Sequence, residues 1–342
     1  MTGYFIRRFL LIIPTFIGIT MAAFLVMHFV PGGPIERQIM AYKMALAQEG
    51  GGGGLGTFGT EIPPEALEEM KKFYGFDKPV HIRYLTWLNN IVHLDLGTSY
   101  TYQDPVWDVI KSRFPVSIFL GLTGFFLSYL VCIPLGVFKA IRHGSRFDWI
   151  SSALVFIGYA IPGWALGTAL LVLLGGGSFF SVFPLGGFRP SDWEYLSVWG
   201  KITGQLHHMA LPVLCYMIGS FATDTILTKN SLMENLGQDY VRTAFAKGLT
   251  ERRVIFVHAL RNSLIPIVTG LGHVISLVLA GSFLIERVFN IDGMGYLGYT
   301  AVLQRDYPVA LGILVVSSLL MLVGNILSDV VYAVVDPRIR FK

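Results

Sequence analysis

Apolar residues in this chain come in long blocks separated by shorter polar stretches. Six predominantly apolar blocks, at about 9–30, 116–138, 149–174, 209–227, 263–285 and 309–334, are each long enough for a helix to cross a hydrocarbon core of roughly 30 Å. The pattern predicts an all-α polytopic membrane protein with six transmembrane helices. Pro14, Pro134, Pro162, Pro212 and Pro266 sit in or at the edges of these blocks, where spans tolerate kinks if neighbouring helices re-satisfy the freed carbonyls. One polar island, 229–262, lies between the fourth and fifth blocks. Inside it, Asp239 to Ala246 contains no helix breaker and suits one or two turns of helix. Gly248 then ends that helix, because glycine adopts left-handed geometry without strain. A short helix hung between two spans is a lever: whatever grips it can tilt both.

Composition excludes a soluble globule. The 342 residues are 53% hydrophobic and 14% charged, with a mean hydropathy of +0.59. A net charge of +4 raises the question of nucleic acid, but the basic residues sit at span ends rather than in one patch. The expected partner is therefore the lipid bilayer, with no nucleic acid. Charge also sets the orientation. Of the 26 Lys and Arg, 14 fall on the N-terminus, the second and fourth connections and the C-terminal tail, against 4 in the two short loops of the other side. The remaining 8 lie in the long first connection, where charge has little topological weight. Both termini and the 229–262 island are expected in the cytoplasm. Arg7-Arg8 before the first apolar block imitates a signal peptide, but no small-x-small site precedes Pro31-Gly-Gly-Pro34, so the block reads as a retained span.

The first outer segment, from Pro31 to Arg113, is too long for a simple connector. A run of glycines at 50–54 reads as a flexible tip. Residues 64–75 read as a short helix, with Pro64 and acids in the first turn, Lys71 and Lys72 in the last, and Gly75 as stop. Tyr84, Leu85, Leu88 and Ile91 recur at helical spacing, which predicts an amphipathic helix over 81–94 on the outer leaflet or in a small lobe.

Familiar chemistry is missing. Gly200-Lys201 is followed by Ile202, so no phosphate-binding Gly-x-x-x-x-Gly-Lys-[Ser/Thr] loop occurs, and any ATP-driven step needs another polypeptide. There is no His-Glu-x-x-His, Gly-x-Ser-x-Gly or Cys-x-x-Cys motif. Cys132 and Cys215 lie in apolar runs and read as packing residues. His207-His208 lacks a third ligand and reads as interfacial, so no metal and no catalytic residue is expected. Asp224, Glu286 and Asp329 lie near span ends, where structural pairing or helix capping is the default rather than a mid-membrane proton relay.

Thr243-Ala244-x-Ala246-Lys247-Gly248, followed by His258-Ala-Leu-Arg-Asn262, resembles the cytoplasmic coupling loop of ABC-importer permeases of the dipeptide/oligopeptide family. That family usually has Arg where this chain has Phe245, a departure that weakens any salt-bridge reading at this position, though an aromatic can still dock in an apolar groove. The likeness continues through Gly75-Phe-Asp77-Lys-Pro79, Arg83-Tyr-Leu-x-Trp87, Asp95-Leu-Gly97-x-Ser99, Gly281-Ser-x-Leu-Ile-Glu286-x-Val-Phe289, Arg305-Asp306-Tyr307-Pro308 and Asp336-Pro-Arg338. Gly144-Ser-Arg-Phe-Asp148, Gly158-Tyr-Ala-Ile-Pro162, Phe183-Pro-Leu185 and Leu227-Thr-Lys-Asn-Ser231 look like the branch that takes up microcin C and related antimicrobial peptides.

The resemblance implies a type I ABC importer permease fold, of the B-type subunit, in a bacterial inner membrane. It implies a first span and periplasmic lobe over 1–112, a five-helix permease core over 113–334 carrying the coupling loop 229–262, and a cytoplasmic tail over 335–342. Arg242, Thr243, Ala244, Phe245, Ala246, Lys247 and Gly248 would form the ATPase-coupling loop, with Glu286 and Phe289 at an outer gate. The implied partners are a second, non-identical permease, one or two ABC ATP-binding subunits that hold the ATP and magnesium, and a periplasmic peptide-binding protein. This chain itself would carry no cofactor and would supply half of a path for oligopeptides, microcin C-like or muropeptide cargo among them. Two alternatives stay open: a gradient-driven secondary peptide transporter and, more remotely, an intramembrane enzyme. For the latter, Ser, His and Asp occur in the spans without a recognisable nucleophile–base spacing.

Overall fold

The computed structural model of this chain describes residues 2–29, 77–176, 179–269 and 281–335, with isolated positions at 39, 65, 68 and 69. The expected glycine tip at 50–54, all but residues 65, 68 and 69 of the helix at 64–75, the middle of the fifth span at 270–280 and the tail beyond 335 lie outside the described residues. Among the described residues the regular elements are helices, with isolated bridges at Thr98–Pro105 and Gly175–Phe183.

In chain order these are α1 (Thr2–Phe29), α2 (Val80–Val92), α3 (Val106–Ile141), α4 (Arg146–Ala160) and α5 (Gly163–Leu174). A 3₁₀ turn (Trp193–Tyr195) then leads into α6 (Val198–Leu236) and α7 (Asp239–Ala246). The return toward the membrane is broken into α8 (Glu251–Arg253), a π-helix (Val254–Ala259), α9 (Leu260–Ser263) and α10 (Ile265–Thr269). The chain closes with α11 (Phe283–Val288), α12 (Met294–Leu303) and α13 (Tyr307–Val335). Among the described residues, four helices are long and apolar enough to cross a membrane, or five if the bent pair α4–α5 counts as one span. At 1.5 Å per residue, the 36 residues of α3 and 39 of α6 run about 54 and 58 Å, well past a hydrocarbon core of roughly 30 Å.

The third apolar block is not one straight span. Its two helices meet at 94° across Ile161 and Pro162. Proline removes the amide donor that would continue the helix, and its ring drives the preceding residue out of the helical region. Ile161 accordingly sits at φ −95°, ψ 117°. Pro14, Pro115, Pro134 and Pro212, by contrast, are absorbed within continuous helices.

The chain divides into two compact units, one of residues 1–11, 113–297 and 319–342, the other of 12–112 and 298–318. In the first unit, α3 and α6 approach closely through glycine. A Cβ on Gly136 would lie 2.8 Å from the Thr225 carbonyl, and one on Gly124 3.0 Å from Tyr216 Cβ. Small residues of this kind let membrane helices pack backbone to backbone where no hydrophobic drive brings them together. Asp329 of α13 pairs with Arg8 of α1 at 2.5 Å and accepts from the Tyr4 hydroxyl, the structural pairing expected of an acid at a span end.

The second unit is built on aromatic packing. Tyr84 of α2 meets Phe24 edge to face at 5.5 Å, and its hydroxyl reaches Thr20 Oγ1 at 3.1 Å. Leu311 completes this cluster, with Trp87 and Leu88 against it. Helix α2 falls where the periodicity places it, with Tyr84 and Ile91 buried, but Leu85 is 60% exposed and lies off the packed face. Beside α2, buried Asp306 gathers the 99–101 turn. It accepts from Ser99 Oγ at 2.5 Å, Thr101 N at 2.9 Å and Tyr100 N at 3.2 Å, and from Val309 N at the start of α13. Ser99 Oγ also accepts from the amides of Thr101 and Tyr102. Ser99→Ala strips a charge-assisted bond and removes the acceptor of the Tyr102 amide, so stability should fall by about 2 kcal/mol. Chymotryptic cleavage at Tyr100 and Tyr102 should accelerate in step; cleavage at the wild-type rate would mean that other contacts hold the turn.

Candidate functional site

The polar island folds as its residues dictate. Helix α7 spans Asp239–Ala246, with Asp239 in its first turn to complement the positive end of the helix. The chain enters it from Gln238 in extended geometry. At the other end the amide of Leu249 donates to Ala244 O and that of Gly248 to Phe245 O, with Gly248 at φ +75°. These two bonds and the left-handed glycine form a Schellman stop. Leu249 packs on the same cluster as Ala244, which supplies the apolar contact that accompanies such a stop.

One face of α7 is committed to the protein. Val241 and Ala244 are buried in a cluster with Val137 and Ala140 of α3, Leu232 of α6 and Val254 and Ala259 of the return segment. The other face is open. Tyr240, Arg242, Thr243, Phe245, Ala246, Lys247 and Gly248 are exposed, Phe245 at 46%. Arg242 lies 3.6 Å from Asp239, but both side chains are solvated and the pair is worth little. Of the seven residues assigned from sequence to this loop, Ala244 alone faces inward. The outward face combines two aromatic rings with cations and offers a partner both apolar area and positive charge.

Glu286 and Phe289 sit elsewhere in the same unit. Phe289 is buried with Leu120, Met209, Leu211, Val213, Cys215, Ile285 and Ile291, a cluster separate from the one under α7. The Glu286 side chain is 0% exposed, and donors converge on its two oxygens: Tyr216 Oη at 3.1 Å, Tyr296 N at 2.7 Å and Ser282 N at 3.3 Å. Ser282 N also donates to Tyr216 Oη at 2.7 Å, so phenol and carboxylate are held as one group. The surrounding glycines make this possible. Gly281, at φ +64°, and Gly293 both lie against the Glu286 carboxylate, where a Cβ on Gly293 would fall 2.7 Å from an oxygen. Carbonyl O of Phe289 accepts from Gly187 N at 2.8 Å, which ties the 183–188 stretch to the same hub. Glu286 is thus the centre of a closed loop rather than a group open to solvent.

A third charged site was not legible in the sequence. Lys139 and Lys229 count there among the basic residues at span ends and Asp148 only as part of a family motif, yet the three meet in the interior, with Lys229 Nζ 2.7 Å from Asp148 Oδ2 and Lys139 Nζ 3.3 Å from Oδ1. His207 and His208 each hydrogen-bond a backbone carbonyl, of Val182 and Gly204 respectively.

Comparison with known proteins places these features in a group. Residues 132–341 match the family described as binding-protein-dependent transport system inner membrane component, and 54–121 match the N-terminal region of such membrane components. The chain is 40% identical to the peptidoglycan transport system permease protein YejB of Agrobacterium fabrum, over 100% of this chain and 99% of that one. It is 41% identical to the inner membrane ABC transporter permease protein YejB of Escherichia coli O157:H7, and 36% identical to the dipeptide transport system permease protein DppB of Escherichia coli K12. Both of these alignments cover 100% of each chain.

Proposed function

Because this chain belongs to the family of binding-protein-dependent transport system inner membrane components, we propose that it is the permease subunit of an ATP-driven peptide importer, working through α7 on a separate ATPase. The observation that carries this reading is the exposed face of α7. A two-turn helix hung between α6 and the return segment, stopped by a Schellman motif and packed on α3 and α6 by Val241 and Ala244, transmits any push on Tyr240, Arg242 and Phe245 into the membrane helices. ATP and magnesium belong to the partner. This subunit contributes half of the path, and a second, non-identical permease contributes the other half.

Peptide is the cargo class that the named relatives support, one of them being a dipeptide and another a peptidoglycan permease. Microcin C-like peptides and muropeptides are the narrower cargo of this reading. A periplasmic binding protein delivers the cargo to the lobe before α3, and Glu286 and Phe289 close the outer gate. The topology has six spans, with both termini and α7 in the cytoplasm. The work of this chain is conformational, so no residue in it is catalytic.

Affinity purification of this chain with its ATPase tests the reading. Wild type should retain the ATPase. Phe245→Asp should weaken retention by at least tenfold, since a carboxylate replaces an apolar anchor and each tenfold step is about 1.4 kcal/mol. Thr243→Arg should act in the same direction by crowding the docking face. A wild-type chain that retains no ATPase, or variants that hold it equally well, would return the gradient-driven transporter to first place.

A further inference from the structure

The buried charge cluster joins three helices at one point. Lys139 comes from the end of α3, Asp148 from the first turn of α4 and Lys229 from α6. The side chains of Lys139 and Asp148 are 1% and 7% exposed. Lys229 Nζ donates to both carboxylate oxygens, at 2.8 and 2.7 Å. Lys139 Nζ donates to Ser152 Oγ at 2.6 Å, Ser151 Oγ at 3.0 Å and the Asp148 carbonyl at 3.2 Å. Gly144 N and His143 Nδ1 reach Oδ2 at 3.2 Å each.

Stability alone does not account for this arrangement. Taking charges out of water costs as much as their attraction returns, and apolar side chains of similar volume would pack these helices as firmly. What the cluster adds is a fixed register, because a carboxylate gripped from two helices resists sliding where apolar surfaces do not. Its position gives that register a use. Lys139 lies between Val137 and Ala140, which pack in the cluster holding Val241 and Ala244 of α7. Asp148 opens the bent pair. Beyond the bend, a Cβ on Gly163 would lie 2.7 Å from the Cys215 carbonyl, and one on Gly167 would lie 2.9 Å from the Phe289 ring. A path made partly of side-chain contacts and partly of the backbone of α3 and of the bent pair therefore runs from α7 through Asp148 to Phe289, three residues from Glu286.

We infer that the Lys139–Asp148–Lys229 junction carries the displacement of α7 into the bent pair α4–α5, and through it to the Phe289–Glu286 loop. The inference rests on the reading of α7 as the ATPase-docking helix. Lys139, Asp148 and Lys229 are positioning residues, whose task is to turn one motion into another. Coupling of this sort runs through packed, hydrogen-bonded contacts between rigid elements.

The complete importer (both permeases, the ATPase and the binding protein) in proteoliposomes tests the inference, with a labelled peptide as cargo. Three chains are compared with wild type: Asp148→Asn, Asp148→Glu, and a neutral triple variant, Lys139→Met with Asp148→Asn and Lys229→Met. The triple variant leaves no buried charge unpaired, so it should insert and assemble even where Asp148→Asn does not. ATPase retention and ATP hydrolysis should stay within about twofold of wild type in the triple variant, while peptide taken up per ATP falls about tenfold or more, inside the usual range of coupling between sites. Asp148→Glu keeps the carboxylate and should recover most of the uptake. Uptake per ATP at the wild-type level in the triple variant overturns the inference and leaves the docking reading intact. A fall in uptake that merely tracks lost ATPase or lost hydrolysis overturns it as well, since the cluster would then serve assembly. A wild-type chain that binds no ATPase and moves no peptide removes the docking reading and this inference together.

Discussion

Glu286→Ala should lower the stability of the protein in detergent by roughly 3–5 kcal/mol, the loss expected when buried donors are left without an acceptor. Tyr216 Oη, Ser282 N and Tyr296 N all close on this carboxylate. Alanine leaves Tyr216 Oη without its acceptor and Tyr296 N without a partner in a place that water does not reach, while Ser282 N keeps only its bond to Tyr216 Oη. It also opens a cavity beneath Gly281 and Gly293, which lie against the side chain. Glu286→Gln should cost about half as much. Its carbonyl oxygen keeps one acceptor, while its amide sets a donor against a donor. Tyr216→Phe should cost least, about 1–2 kcal/mol for one hydroxyl. The order Ala, Gln, Phe in thermal unfolding midpoints is the measurable content. An alanine variant that melts with wild type would show that the glycine-lined loop holds itself without the carboxylate.

Gly248→Pro should abolish ATPase retention while leaving membrane insertion intact. Gly248 stands at φ +75°, and its amide donates to Phe245 O at 2.9 Å. Proline is locked near φ −65° and has no amide hydrogen, so it loses the conformation and the bond together, at about 3 kcal/mol or more. The stop is what turns the chain back so that Leu249 reaches the cluster under α7. Without it Phe245 and Lys247 leave their places on the exposed face of α7. Gly248→Ala separates the two causes, because alanine keeps the amide and suffers only the left-handed backbone, about 1–2 kcal/mol. Partial retention in Gly248→Ala and none in Gly248→Pro, read by co-purification from membranes, is the expected pair of results. Full retention in both would mean that the partner does not grip this helix end.

Much of the architecture was legible because it is local. Apolar block length marks a span, and a helix without breakers followed by a left-handed glycine marks α7 to its last residue. Asp239–Ala246 and Gly248 fall where the sequence places them, since caps and glycine act within one turn. Phe245 is exposed on the open face of α7. Glu286 was recognisable as an acid at the edge of a span, and the structural partner expected for such an acid is present three times over. Gly281 stands in the sequence only as part of the family motif. That it and Gly293 make room for the carboxylate is visible only in the folded loop.

The sequence by itself determined that this chain is helical, that it lives in a membrane, and that a short lever stands between two of its spans. Each follows from hydropathy, charge bias and backbone preference, which act over a few residues. Tertiary structure alone decided which distant groups meet. Lys229 finds Asp148 across 81 residues, Glu286 finds Tyr216 across 70, and Arg8 finds Asp329 from the opposite end of the chain. It also decided that Pro162 turns the third apolar block through 94° while Pro134 and Pro212 leave their helices continuous. The reason is the same in each case. A charge or a proline states what it needs, but which helix satisfies it depends on which helices become neighbours.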